Sequence, residues 1–174
     1  MGLSGILMYV MRAARFALVI GAVYALGRWL WLRAKGEKPG WARELVRLLF
    51  VVYAAALVQI IALRGGAGDV RAVQPVPLRT TLGELRAGLW PFIYHLVGNA
   101  VWFVPLGMFL HKKGAVRVLL TGACVSALLE CLQWTLGTGV TDVDDIIINA
   151  LGAVMGCIFC RIWSKMVGKI RPMK

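Results

Sequence analysis

A carboxylate and a carboxamide inside an apolar run can hold a proton, a cation or a polar headgroup, and the run 116–136 carries both, as Glu130 and Gln133. At 100° per residue, Gly122, Ser126, Glu130, Gln133 and Gly137 fall within a stripe about 80° wide on a helix otherwise built of Leu, Val, Ala, Cys and Trp. A charge in hydrocarbon costs roughly 2.5–3.5 kcal/mol even on the lenient insertion scale, so this stripe is expected to face other helices. The next run opens with Thr141-Asp142-Val143-Asp144-Asp145 and continues to Asn149. There Asp142, Asp145, Asn149, Gly152 and Gly156 share a second stripe of about 80°. Capping accounts for Asp142 and Asp144, because acids suit a helix start whose first amides lack partners; it accounts less well for Asp145 and not for Asn149. A third run carries His95 and Asn99 on one face with Trp102 beside them, ahead of Pro105 and Gly107.

These residue types sort by chemistry. Glu130, Asp145 and Asp142 are the candidates for general acid–base catalysis. Asn99, Gln133 and Asn149 can donate and accept hydrogen bonds to a bound headgroup, Arg79 can meet a phosphate, and His95 is a base or a structural hydrogen-bonder. No nucleophile has an evident adjacent base; Ser126 shares the Glu130 stripe without one. Glu130, Asp142 and Asp145 are oxygen ligands of the kind Mg²⁺ or Ca²⁺ takes, while no His or Cys spacing matches zinc. No cofactor and no resident metal are expected, with a divalent cation as the alternative.

The elements that carry these groups are membrane spans. The chain has 174 residues, 60% of them hydrophobic, against about 45–50% in soluble domains by a wider count that includes Gly. A span needs roughly 20 mostly apolar residues, and five stretches qualify: 3–32, 45–63, 93–110, 116–136 and 145–164. The expected fold is therefore all-α, a polytopic integral membrane protein that forms a single membrane domain over 1–174. The formal charge of +12 lies at the edges of the apolar runs and not on one face. It marks topology and contacts to lipid headgroups, and without any reading motif it excludes nucleic acid as a partner. Cys124, Cys131, Cys157 and Cys160 all sit within apolar runs and read as packing residues, not a disulfide framework.

Lys and Arg set the orientation. The cations between spans one and two (Arg33, Lys35, Lys38, Arg43, Arg47), between three and four (Lys112, Lys113, Arg117) and after five (Arg161, Lys165, Lys169, Arg171, Lys174) fall on one side. Arg64, Arg71, Arg79 and Arg86 fall on the other. Thirteen against four puts the first side in the cytoplasm, the N-terminus outside and the C-terminus inside. Tryptophans cluster near both boundaries, as amphipathic rings do at headgroups. The stretch 64–91 becomes a long extracytoplasmic loop with Pro75 and Pro77, expected to fold back onto the membrane surface. Asn99, Glu130 and Asn149 then each lie roughly 8–10 Å below the outer boundary, at 1.5 Å per residue. Three helices presenting polar groups at one depth, under an acidic rim, imply a small polar cavity open to the outer leaflet.

Asn99 with Phe103-Val104-Pro105-Leu106-Gly107, then Glu130 with Gln133, then Asp142-Val143-Asp144-Asp145 with Asn149 and Leu151-Gly152 resemble, in this order, the VanZ-like family. The run 74–81, with Pro77 and Thr80, resembles the loop that precedes the motif there, and the likeness covers about residues 45–165. The resemblance implies a multi-pass protein of the bacterial plasma membrane, named after a member linked to resistance to teicoplanin-type lipoglycopeptides. Many members carry Arg just before the acidic cluster, where this chain has Gly137-Thr138-Gly139-Val140. The leading expectation is a site that binds or acts on an outer-leaflet amphiphile: a lipid-linked cell-wall precursor, a phospholipid or a lipoglycopeptide. An ion- or proton-coupled transporter is the alternative, disfavoured by few spans, no inverted repeat and acids gathered at one level. A non-catalytic structural protein is the other, in which Gly152 and Gly156 pack a second copy or a neighbouring helix.

Overall fold

The computed structural model describes residues 3–63 and 70–170. Five of its helices are long and apolar enough to cross a membrane: α1 (Leu3–Lys35), α2 (Trp41–Ile61), α4 (Leu89–Phe109), α5 (Ala115–Leu136) and α6 (Val143–Ile170). At most 39% of any span's apolar window is buried inside the chain, so most of that surface faces outward and needs lipid to cover it. The chain divides into two compact units, Met1–Gly68 and Asp69–Lys174.

The first unit is a helical hairpin. The turn after α1 closes through Gly36 at φ +66°, with the Glu37 amide donating to the Leu32 carbonyl at 3.0 Å, a glycine stop that residues with a Cβ resist. Small residues let the two helices approach: Ala13 and Ala17 of α1 and Ala55 of α2 are buried. Near the turn, Arg28 grips Glu44 with two hydrogen bonds of 2.9 and 3.0 Å, and Arg47 adds a third at 2.6 Å.

In the second unit α6 packs against both α4 and α5, and glycines decide how closely. A Cβ on Gly107 would overlap the Ala153 carbonyl, one on Gly152 the Ala100 carbonyl, and one on Gly156 the Val104 carbonyl. The small-residue pair on α6 is thus taken up by α4 within this chain. Beside them Phe103, Ala153 and Cys157 are fully buried. α4 runs through Pro105 without a break. All four cysteines are free.

The all-α expectation holds for the spans but misses a two-stranded parallel ribbon. β1 (Val70–Gln74) pairs with β2 (Thr138–Asp142), with Gln74 opposite Asp142. The stretch expected as one irregular loop over 64–91 holds β1 and the short helix α3 (Arg79–Ala87). Its first residues, including Arg64, lie outside the described residues, as do Arg171 and Lys174. The ribbon matters because it fixes residues 74–81 over the start of α6, where the acids lie.

Candidate functional site

β2 ends at Asp142 and α6 begins at Val143, so Asp142 occupies the N-cap. Its Oδ1 accepts from the Asp144 amide at 2.9 Å, the bond expected of a capping aspartate. Oδ2 accepts from the Thr80 hydroxyl, and Gln74 Nε2 approaches Oδ1 at 3.5 Å. The backbone is held from the other side: the Asp142 amide donates to Glu130 Oε2 at 3.1 Å, and the Thr141 hydroxyl donates to the Glu130 carbonyl at 3.1 Å. Glu130, 1% exposed, therefore anchors the β2–α6 corner to α5.

Asp144 caps a different helix. α3 starts without a side-chain cap of its own, after Leu78 at φ 65°, the sole non-glycine with positive φ among the described residues. The first amides of a helix have no internal acceptor. Asp144 supplies one: Oδ1 accepts from the Leu78 amide at 2.5 Å, and Oδ2 accepts from the Thr81 amide at 2.8 Å and the Thr81 hydroxyl at 2.9 Å. Both oxygens act only as acceptors, as a carboxylate does. Holding a left-handed Leu costs of order 1–3 kcal/mol and persists only where neighbours impose it; here the imposing neighbour is Asp144.

Asp145 turns toward α4. Asn99 Nδ2 donates to Asp145 Oδ1 at 2.6 Å, His95 Nε2 stands 3.7 Å from the same oxygen, and His95 Nδ1 lies 3.5 Å from Asn99 Nδ2. The side chains of His95 and Asp145 are 14% and 11% exposed. Deeper, Asn149 Nδ2 donates to Ser126 Oγ at 2.9 Å. Among the described residues, four buried side-chain polar atoms have no hydrogen-bond partner: His95 Nε2, Asn149 Oδ1, and both Oε1 and Nε2 of Gln133. The Gln133 side chain packs against Gly139, where a Cβ would collide with its Nε2. Gly137, at φ +64°, is the left-handed stop that turns the chain from α5 into β2 and sets this contact.

The structure thus gathers seven of the eight sequence candidates at one end of α4, α5 and α6, but distributes them over separate partnerships. Asn99 and His95 meet Asp145, Asn149 meets Ser126, and Glu130 meets the Asp142 backbone. Arg79 is exposed in the first turn of α3. Asp142, Asp144 and Asp145 are 6%, 1% and 8% exposed: residues 74–81 lie on the first two, and Asp145 meets Asn99 and His95 of α4. Among the described residues no three His, Cys, Asp or Glu side chains converge as metal ligands.

Residue chemistry alone does not mark positions 74, 78, 80 and 81 as part of the site. Two of the donors to Asp144 are main-chain amides, which no residue type advertises. The available signal was the extended Pro75–Pro77 run followed by two threonines.

No curated protein and no solved structure matches the chain significantly. A family model described as VanZ/LLP1 matches residues 49–164, a span that contains α4, α5, the capped corner and all the buried polar groups named above. The chain belongs to the VanZ/LLP1 family.

Proposed function

We propose that the His95–Asn99–Asp145 group binds the polar head of an amphiphile in the outer leaflet, with the segment over residues 74–81 as its cover. The observation that carries this reading is the contact of Asp145 with His95 and Asn99, within which His95 Nε2 makes no hydrogen bond. Asp142 and Asp144 spend their oxygens on the loop and on helix starts. Asp145 sits beside a histidine whose Nε2, 3.7 Å from its Oδ1, makes no hydrogen bond and whose side chain is 14% exposed. Unpaired polar atoms in a buried, otherwise satisfied cluster are where a ligand's own donors and acceptors have something to gain. Gln133 and Asn149 carry further unmet capacity below.

The ligand classes that fit are a lipid-linked cell-wall precursor, a phospholipid or a lipoglycopeptide, each bearing amide, hydroxyl or phosphate groups on an apolar tail. The Lys and Arg distribution directs the capped corner to the outside of a bacterial plasma membrane. Single cysteines introduced at Lys113 and at Thr138 in a background without the native four test this: an impermeant maleimide applied to intact cells should label position 138 and not 113. The reverse pattern overturns the orientation.

The function itself is tested by expressing the chain in a teicoplanin-susceptible bacterium. A rise in inhibitory concentration is expected, and it should disappear in Asp145→Asn and His95→Gln at unchanged membrane abundance. A second reading, a purely structural clamp, is favoured by the saturation of Asp142 and Asp144. It requires both of these variants to behave as wild type while Asp144→Ala loses abundance.

A further inference from the structure

We propose that the α1–α2 hairpin carries a binding site for one anionic phospholipid at its turn end. A cavity of about 520 Å³ lies between the C-terminal part of α1 and the start of α2, within the range of roughly 300–1,000 Å³ that small-ligand sites occupy. Ala25, Leu32, Leu45 and Leu48 give it apolar walls, and Arg33 and Trp41 lie at its turn end. An acyl chain against the walls with a charged head at the turn matches that polarity.

Charge selects the occupant. Between residues 28 and 47 six cations face two carboxylates. Arg28 and Arg47 both bind Glu44, so the surplus falls on the others. Arg33 lies over the Trp29 ring at 5.2 Å and Lys35 over the Trp31 ring at 5.6 Å. Stacked on rings, these cations are held near the turn; Glu37, which also lines the cavity, offsets one of the four cations that Glu44 does not bind, and a positive surplus remains. A phosphodiester supplies that missing charge, and it does so at the level where tryptophans mark the headgroup boundary. Trp41 is 76% and Leu45 57% exposed, so the mouth of the cavity is open in the chain. A zwitterionic lipid offers the same tail and no net charge, and it should lose to an anionic one.

The test uses the full chain purified in a non-ionic detergent and mixed with equal amounts of phosphatidylglycerol and phosphatidylcholine of matched tails. Native mass spectrometry then reads what stays bound. One phosphatidylglycerol per chain is expected, in clear preference to phosphatidylcholine. Arg33→Gln should lower its retention about fivefold, the effect of one cation at an anionic lipid surface. Ala25→Phe fills the cavity without changing charge and should lower retention at least as much. Lys112→Gln with Lys113→Gln removes two charges elsewhere and should leave it unchanged. Equal retention of the two lipids overturns the proposal. So does undiminished retention in both hairpin variants, or an equal loss in the Lys112/Lys113 control, which would mean only diffuse charge attraction. A lipid-free dimer that Ala25→Phe splits into monomers would assign the cavity to a second copy instead.

Discussion

Asp144→Ala is expected to release the segment over residues 74–81 from the start of α6. The substitution removes the acceptor for the Leu78 amide, the Thr81 amide and the Thr81 hydroxyl together. Asp144 is 1% exposed, and a buried donor left unsatisfied costs about 1–3 kcal/mol. Water can reach the freed loop and recover part of that, so a loss of roughly 2–4 kcal/mol is expected for the local closure. Amide hydrogen exchange at Leu78 and Thr81 should accelerate by about 30-fold or more, while the cores of α4 and α5 keep their protection. Asp144→Asn should fall between, since its amide oxygen still accepts but its NH₂ faces a donor. Unchanged exchange at Leu78 and Thr81 in Asp144→Ala would refute the capping role.

Gly152→Val should prevent α4 and α6 from closing. Its Cβ would overlap both the oxygen and the carbon of the Ala100 carbonyl, and a main-chain atom cannot swing aside as a flexible side chain can. Overpacking of a well-packed interior costs about 1–3 kcal/mol and more where the backbone must move, so about 3 kcal/mol is expected here. The thermal unfolding midpoint in detergent and the amount in the membrane should both fall sharply. Gly98→Ala on α4 is the control: nothing lies within 4 Å of its Cβ position, and removing a helical glycine should stabilise by about 0.5–1 kcal/mol. If both variants melt alike, the close approach at Gly152 does not limit stability.

The spans were legible because lipid imposes one simple demand, an apolar length, and hydropathy reads it directly. Observed ends differ from the expected ones by a few residues, as at α2, which starts at Trp41 and not at residue 45. The ribbon was not legible. Thr138-Gly139-Val140-Thr141-Asp142 is too short to show alternation, and its partner lies 68 positions earlier along the chain. The polar stripes on α5 and α6 did point to one end of the bundle, because burying Glu130, Asp145 or Asn149 without partners is costly enough to constrain where they face. What they touch there was hidden. Asp144 binds backbone amides, Asn149 binds the modest Ser126, and Gln133 packs against a glycine instead of hydrogen bonding.

The parallel pairing of β1 with β2 also imposes an order on biosynthesis. β1 leaves the ribosome long before β2, and the pair cannot form until α4 and α5 have been inserted between them. Long-range pairing of this kind comes late because the intervening chain must be organised first. Until α6 arrives with Asp144, the earlier segment has neither its neighbouring strand nor its helix cap, and a nascent chain stalled before the last insertion displays an unzipped, protease-sensitive tether. The corner that completes the strand ladder is therefore the last part of this unit to close.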